Sequence, residues 1–190
     1  MSREFGLKVG IITFFCDAFK GGIPALITYF VYRNYCFAGT NVVVSDFTRY
    51  FCGACVIIGH IFPITMKFHG GKGIASTLGL FWINLGCENP WFLLVGFAAF
   101  WLIAFYIAGT EWGSMGSLIG VSGFGLWQGV IFWLRYRTEI NNPYVIALFM
   151  LVLLINFLTW FAHRKNILRL LSGEEHRTSV KKMLHKKKKA

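Results

Sequence analysis

GHIFPITMKFHGGKGIAST, Gly59 to Thr77, takes an apolar run, breaks it into a glycine-rich basic turn and returns it to apolar sequence. Backbone that leaves the helix beside a membrane must have its polar groups satisfied by protein, water or ligand. Gly70, Gly71 and Gly73 surround Lys72, and the following GIASTLGLFWINLG restarts as a helix whose first amides face the turn. A helix N-terminus carries roughly half a positive charge, glycines admit phosphate oxygens to the backbone, and a lysine completes the neutralisation. Such a turn suits an anion. It is not a nucleotide P-loop, because Met66 stands where Walker A needs its first glycine and no Ser or Thr follows Lys72. Local sequence leaves one alternative open, a short connection between two spans with a solvated lysine.

The chain around this turn is that of an integral membrane protein. Of its 190 residues 56% are hydrophobic, and apolar runs near twenty residues long recur. The alternation of a β-barrel is missing, so an all-α, polytopic membrane helical bundle is expected. Met1 to Lys8 leads into an apolar stretch without a small-residue cleavage site, and the first span is expected to direct insertion. The formal net charge of +11 lies at span ends and in the C-terminal run, which points to a membrane surface rather than nucleic acid. Cys16, Cys36, Cys52, Cys55 and Cys87 lie mostly in apolar runs without a second pair for zinc, so they read as packing residues and no metal or cofactor is expected.

Six spans can be drawn, at about Val9–Tyr32, Tyr50–Met66, Gly73–Cys87, Trp91–Thr110, Ser114–Leu134 and Pro143–His163. The third, about fifteen residues, is marginal for crossing. Six spans put Met1 to Lys8, the glycine turn, the Glu111 turn and everything after His163 on one side. That side carries 14 Lys and Arg against 4 on the other, which makes it cytoplasmic by the positive-inside rule. A membrane domain over 1–176 and a basic cytoplasmic tail over 177–190 follow, with Ile167–His176 as a short amphipathic helix stopped by Gly173.

Polar residues inside the spans narrow the function. Asp17 and Lys20 stand three apart on one helix face just before Gly21, Gly22 and Pro24, where a self-satisfied ion pair and a polar cavity are both open readings. His60 precedes Pro63 by three. Ser114 and Ser117, at i and i+3, open the fifth span, where hydroxyls cap a helix or bind an anion. His163 and Asn166, also three apart, share a face on the same side as Lys72.

Assembled, these segments resemble the bacterial acyl-phosphate:glycerol-3-phosphate acyltransferase family. DAFKGGIPAL is similar to its D-x-x-K-G-x-x-P-A segment, GHIFPITMKFHGGKGIAST to its G-H-x-F-P…F-K-G-G-K-G-x-A-[ST] motif, GSMGSL to its serine-containing turn, and HRKNILRLLSGEEHR to its R-H-x-x-N-[IL]-x-R-L-x-x-G-x-E motif. His69 replaces the first lysine of the glycine turn. Family members have seven spans and begin with one more, followed by a loop with G-S-x-P-x-G and G-S-x-N-x-G-A-T-N-x-x-R segments. Neither occurs here, which gives the expectation of an N-terminally incomplete member.

The resemblance implies transfer of an acyl group from acyl phosphate to the 1-hydroxyl of glycerol-3-phosphate in the bacterial inner membrane, as the first step of phospholipid synthesis, by a monomer with its site on the cytoplasmic face. It assigns Lys72, Gly70, Gly71 and Gly73 to the acyl-phosphate headgroup with Ser117 nearby, and His163 and Asn166 to glycerol-3-phosphate. His60, Asp17 and Lys20 shape the cavity. The proton of the attacking hydroxyl goes to substrate phosphate or to His163. Two other readings compete, a carrier for an anionic metabolite and an inactive member of the same fold. Polar motifs gathered on one side, with no internal repeat, weigh against the carrier.

Overall fold

The computed structural model describes residues 2–175, with side chains from residue 8 onward. Its helices are α1 (Ser2–Tyr32), α2 (Val44–Ile61), α3 (Ile74–Glu88), α4 (Trp91–Thr110), α5 (Gly113–Tyr136), α6 (Pro143–Ala162) and the short α7 (Arg164–Leu171). Among the described residues the only β pairing is an isolated bridge between Cys36 and Val43. Helices prevail because hydrocarbon offers no partner for backbone polar groups, so each apolar segment must satisfy its own. Local signals set their ends: Asn142 accepts the Tyr144 N–H at 3.0 Å with its side chain and Pro143 fills the first turn of α6.

The expected six spans need one correction. Five helices, within Lys8–Tyr32, Val44–Met66, Trp91–Thr110, Gly113–Glu139 and Pro143–Ala162, are long and apolar enough to cross a membrane, and α3 is not among them. At ~1.5 Å per residue, α3 is about 22 Å long, short of a ~30 Å hydrocarbon core. It nonetheless runs from one pole of the bundle to the other, sheathed by its neighbours, with Ser76 through Phe81 all buried. By contrast α4, the best span by composition, buries only Gly96 and gives its other residues to lipid or partial contact. The C-terminal helix ends at Leu171 and Gly173 follows in the left-handed region, φ 74°. The expected helix is therefore shorter at its C-terminal end, since residues 172–175 form a turn and irregular backbone, while His176 and the basic tail lie outside the described residues.

Small residues let α1 and α3 cross closely. A Cβ placed on Gly21 would sit 2.1 Å from the Ser76 carbonyl oxygen, and one on Gly79 would sit 2.2 Å from that of Ala18. Backbones this near exclude any side chain, which is how membrane helices gain packing without a hydrophobic driving force between them. Despite Pro24, α1 continues unbroken to Tyr32.

The pole away from the glycine turn is locked by four charges. Asp46 and Arg49 open α2, Glu88 closes α3 and Arg135 lies at the end of α5. Arg49 Nη2 donates to Asp46 at 2.5 Å and to Glu88 at 2.7 Å, while Arg135 donates to Asp46 at 2.7 Å and also to Glu88. The Tyr136 hydroxyl adds a 2.6 Å bond to Asp46. Side chains of Arg49, Asp46 and Glu88 are only 1–3% exposed, so each charge depends on the others for solvation. The ring ties α2, α3 and α5 at one end and leaves their other ends to build a site.

Candidate active site

At the opposite pole α2 stops at Ile61, Pro63 leads into a 3-10 turn over Ile64–Met66, and Lys67 and Phe68 reverse the chain with φ of 51° and 61°. The returning segment lies against the end of α2: the Gly70 N–H donates to the Ile61 carbonyl at 3.2 Å and the Gly71 N–H to the His60 carbonyl at 3.1 Å. Two carbonyls that the helix end would otherwise orphan are thereby satisfied. The contact needs glycine, because a Cβ on Gly70 would stand 2.1 Å from the His60 carbonyl oxygen and one on Gly71 2.1 Å from the His60 ring at Nε2. Gly73 serves differently. It is the N-cap of α3 at φ 78°, a conformation that turns the chain into the helix and costs other residues strain.

These segments, the middle of α1, the start of α5 and α7 enclose a cleft of about 1180 Å³. It brings together every residue singled out from the sequence: Lys72, Ser117 and His163, with Gly70, Gly71, Gly73, His60, Asn166 and Lys20. Residues as far apart in sequence as Lys20 and Asn166 thus face one volume.

Three polar groups organise its wall. Lys20 Nζ donates to Asp17 at 2.7 Å and lies 2.5 Å from His60 Nδ1, so the Asp17–Lys20 pair is joined by a third member. A lysine ammonium can only donate, which makes His60 Nδ1 the acceptor and leaves its proton on Nε2, toward Gly71. On the facing wall His163 Nδ1 is 2.9 Å from the Thr159 carbonyl, and Thr159 meets the Thr77 hydroxyl of α3 at 3.2 Å. A carbonyl only accepts, so Nδ1 carries the proton and Nε2 has the lone pair. Burial holds His163 below the usual histidine range; the hydrogen bond to Thr159 opposes it, the nearby Lys72 charge adds to it and Glu175 works against it.

The third group was only half legible. Asn166 Nδ2 donates to Ser114 Oγ at 2.5 Å, Ser114 to Glu175 at 2.6 Å, and Arg169 Nη2 to Asn166 Oδ1 at 2.8 Å. Arg169 Nε approaches Glu175 at 3.8 Å, which closes the loop and pins α7 to α5. The sequence offers Ser114 only as a cap or anion ligand beside Ser117, and it does not mark Arg169 and Glu175. The signal for Arg169 and Glu175 is the charged NILRLLSGEE segment after His163, where Asn166 and Arg169 stand three apart on one helix face. Ser117, in contrast, turns its hydroxyl back onto the Gly113 carbonyl at 2.8 Å.

Chemically the cleft sets charged and polar groups among apolar surface. Lys20, Lys72 and Arg169 are its cations and Asp17 and Glu175 its carboxylates, so the lining carries a net positive charge. Among the described residues no group of three or more His, Cys, Asp or Glu is placed to hold a metal ion. A neutral imidazole acceptor, a lysine and a helix N-terminus converge on one space, a combination suited to holding anions beside a hydroxyl.

Comparison with known proteins agrees with this chemistry. The model of a family described as glycerol-3-phosphate acyltransferase matches residues 1–173. A glycerol-3-phosphate acyltransferase of Clostridioides difficile is 31% identical over 95% of this chain and 76% of its own length, and one of Mycoplasmopsis pulmonis is 35% identical over 91% and 73%. The crystal structure of PlsY, an integral membrane glycerol 3-phosphate acyltransferase, in its glycerol 3-phosphate form superposes with a TM-score of 0.70 at 26% identity, covering 96% of this chain and 78% of that one. Its lysophosphatidic acid form gives 0.69.

Proposed function

Because the chain belongs to the glycerol-3-phosphate acyltransferase family, a family of acyl-transferring membrane enzymes, we propose that it moves an acyl group from acyl phosphate to the 1-hydroxyl of glycerol-3-phosphate. The products are lysophosphatidate and inorganic phosphate. The observation that carries this reading is the single cleft in which Lys72, the head of α3, His163 and Asn166 meet. Two phosphorylated substrates need such a place, and the reaction sits at the membrane because both donor and product have lipid tails.

An acyl phosphate is a mixed anhydride with a good leaving group, so holding and charge neutralisation supply most of the acceleration. Lys72 and the first amides of α3 hold the acyl-phosphate headgroup, with Ser117 beside it. Gly70 and Gly71 act by letting the turn close on α2, and Gly73 by directing the chain into α3. Asn166, fixed by Ser114 and Arg169, and Lys20, fixed by Asp17 and His60, hold glycerol-3-phosphate. His163 Nε2 accepts the hydrogen bond of the 1-hydroxyl and orients it. That oxygen bonds to the acyl carbon, the bond from acyl carbon to phosphate oxygen breaks, and the proton ends on the departing phosphate. No covalent enzyme intermediate is required. The positive balance of Lys and Arg supports a cytoplasmic orientation of this pole in a bacterial inner membrane, on the same side as soluble glycerol-3-phosphate.

The test is product stoichiometry with purified protein, acyl phosphate and labelled glycerol-3-phosphate. One lysophosphatidate should appear per phosphate released. Lys72→Ala should lower kcat/KM by about 10²-fold or more, the scale of losing one charge-stabilising donor, while Lys67→Ala, outside the cleft, should leave it nearly unchanged. Uptake of glycerol-3-phosphate into liposomes without acyl product would sink the proposal in favour of a carrier.

A further inference from the structure

Beside the polar cleft lies a second, almost wholly apolar slot of about 120 Å³ between α1, α3, α4 and α5. The Phe14 ring lines both. On α3 the cleft ends at Ala75 and the slot begins at Leu78 and reaches Ile83; on α5 the cleft ends at Ser117 and the slot is reached at Phe124. At ~1.5 Å per residue, the slot lies about 5–12 Å deeper in the bundle than the cleft. Anything with a phosphate in the cleft and an apolar tail would send the tail here.

Where α3 meets α4 the slot is closed by Trp82. Its indole N–H donates to the Leu93 carbonyl at 3.0 Å, which fixes the ring over Gly96. A Cβ on Gly96 would come within 2.9 Å of Trp82 Cδ1 and 3.5 Å of the Phe124 ring. The ring also stacks on Phe97, centroids 6.3 Å apart. The one glycine that α4 buries is thus the seat of a tethered aromatic plate.

We infer that Trp82, held over Gly96, sets the length of acyl chain this enzyme transfers. This rests on the proposed reading that the donor's phosphate occupies the cleft. A tail entering from lipid leaves surroundings as apolar as the slot, so removal from water cannot favour one length over another. Fit must do so. A tail that stops short leaves slot atoms without partners, and one that overreaches meets an indole that its hydrogen bond prevents from swinging aside. Phe15 and Phe19 on the rim are about half exposed, which leaves a lateral opening through which a lipid-tailed donor enters.

The experiment uses the full chain in nanodiscs of fixed lipid composition, with saturated acyl phosphates from decanoyl to stearoyl in two-carbon steps. Wild type should show one optimum, with kcat/KM falling by about tenfold or more for the first step beyond it, the lower end of discrimination by pocket fit. Trp82→Ala should move the optimum at least one step longer and leave shorter donors nearly unaffected. Gly96→Ala, which pushes the indole into the slot, should move it shorter. Trp82→Phe, which keeps most of the bulk without the tether, serves where Trp82→Ala does not fold and should broaden the optimum toward longer chains. Lysophosphatidates of the same series, used as competitors, report the same shifts without turnover. A flat wild-type profile, or variants that scale every chain length by one factor, overturns the assignment. Failure of the underlying reading looks different: no acyl phosphate of any length is a donor while an acyl thioester series is, and the length profile with that series then judges Trp82 by itself.

Discussion

Replacing Gly71 by alanine tests whether the turn is shaped by the ring of His60. The backbone of Gly71 is not in the left-handed region, so alanine adds no conformational strain and the effect is steric alone. Its Cβ would stand 2.1 Å from His60 Nε2, where ordinary contact begins at 3.4 Å, so about 1.3 Å must be found by moving one or the other. The imidazole is poorly placed to yield, because Lys20 holds Nδ1 and is itself held by Asp17. Overpacking of this kind costs about 1–3 kcal/mol, which lowers the midpoint of thermal inactivation by about 2–12 °C for a chain of this size. A shift of about 1 Å at a group that positions substrate costs about 10²-fold in rate. Both are measured in detergent, by residual acyl transfer after heating and by kcat/KM. In a His60→Ala background the same substitution should cost less than about 0.5 kcal/mol, since the opposing atoms are gone. Gly70→Ala supplies the contrast, because it meets the His60 carbonyl oxygen, which removal of the ring leaves in place. The reasoning is refuted if Gly71→Ala behaves like wild type, or if removing the His60 ring gives it no relief.

Arg49→Ala should be the most damaging change far from the cleft, costing about 3–5 kcal/mol by stranding Asp46 and Glu88 in the bundle, whereas Asp17→Asn in the more exposed pair should cost under about 1 kcal/mol; thermal inactivation midpoints compare them. His163 is held below its ordinary range, so the unfolded chain binds more protons than the folded one between the two values. Stability from this residue is therefore fully present above about pH 6.5 and lost as pH falls toward the folded value, and His163→Gln should flatten the acid side of a midpoint-against-pH curve. Single cysteines at positions 72 and 166, in a version without native cysteines, should react with an impermeant reagent from the same membrane face, and one at position 137 from the other. Labelling of 72 and 166 from opposite faces contradicts the common cleft.

By itself the sequence determined the all-α membrane class, because long apolar runs in hydrocarbon have no other way to satisfy their backbones. It also marked the residues of the cleft, since glycines around a lysine and polar side chains inside apolar helices are costly unless something uses them. It could not tell α3 from a span of its own, because hydropathy registers composition and not which faces neighbours cover; only the packed bundle shows a short helix sheathed by longer ones. Asp46, Arg49, Glu88 and Arg135 read as ordinary loop charges, as they lie between apolar runs. Their burial follows from a pairing between positions up to 89 residues apart, which no local pattern contains. The same holds for Ser114 and Glu175, joined across 61 residues. Gly70 and Gly71 show the division most plainly. Their presence announces that a backbone must come close to something, and only tertiary structure decides that this includes the end of α2, because close approach is a property of two segments and the sequence records each of them separately.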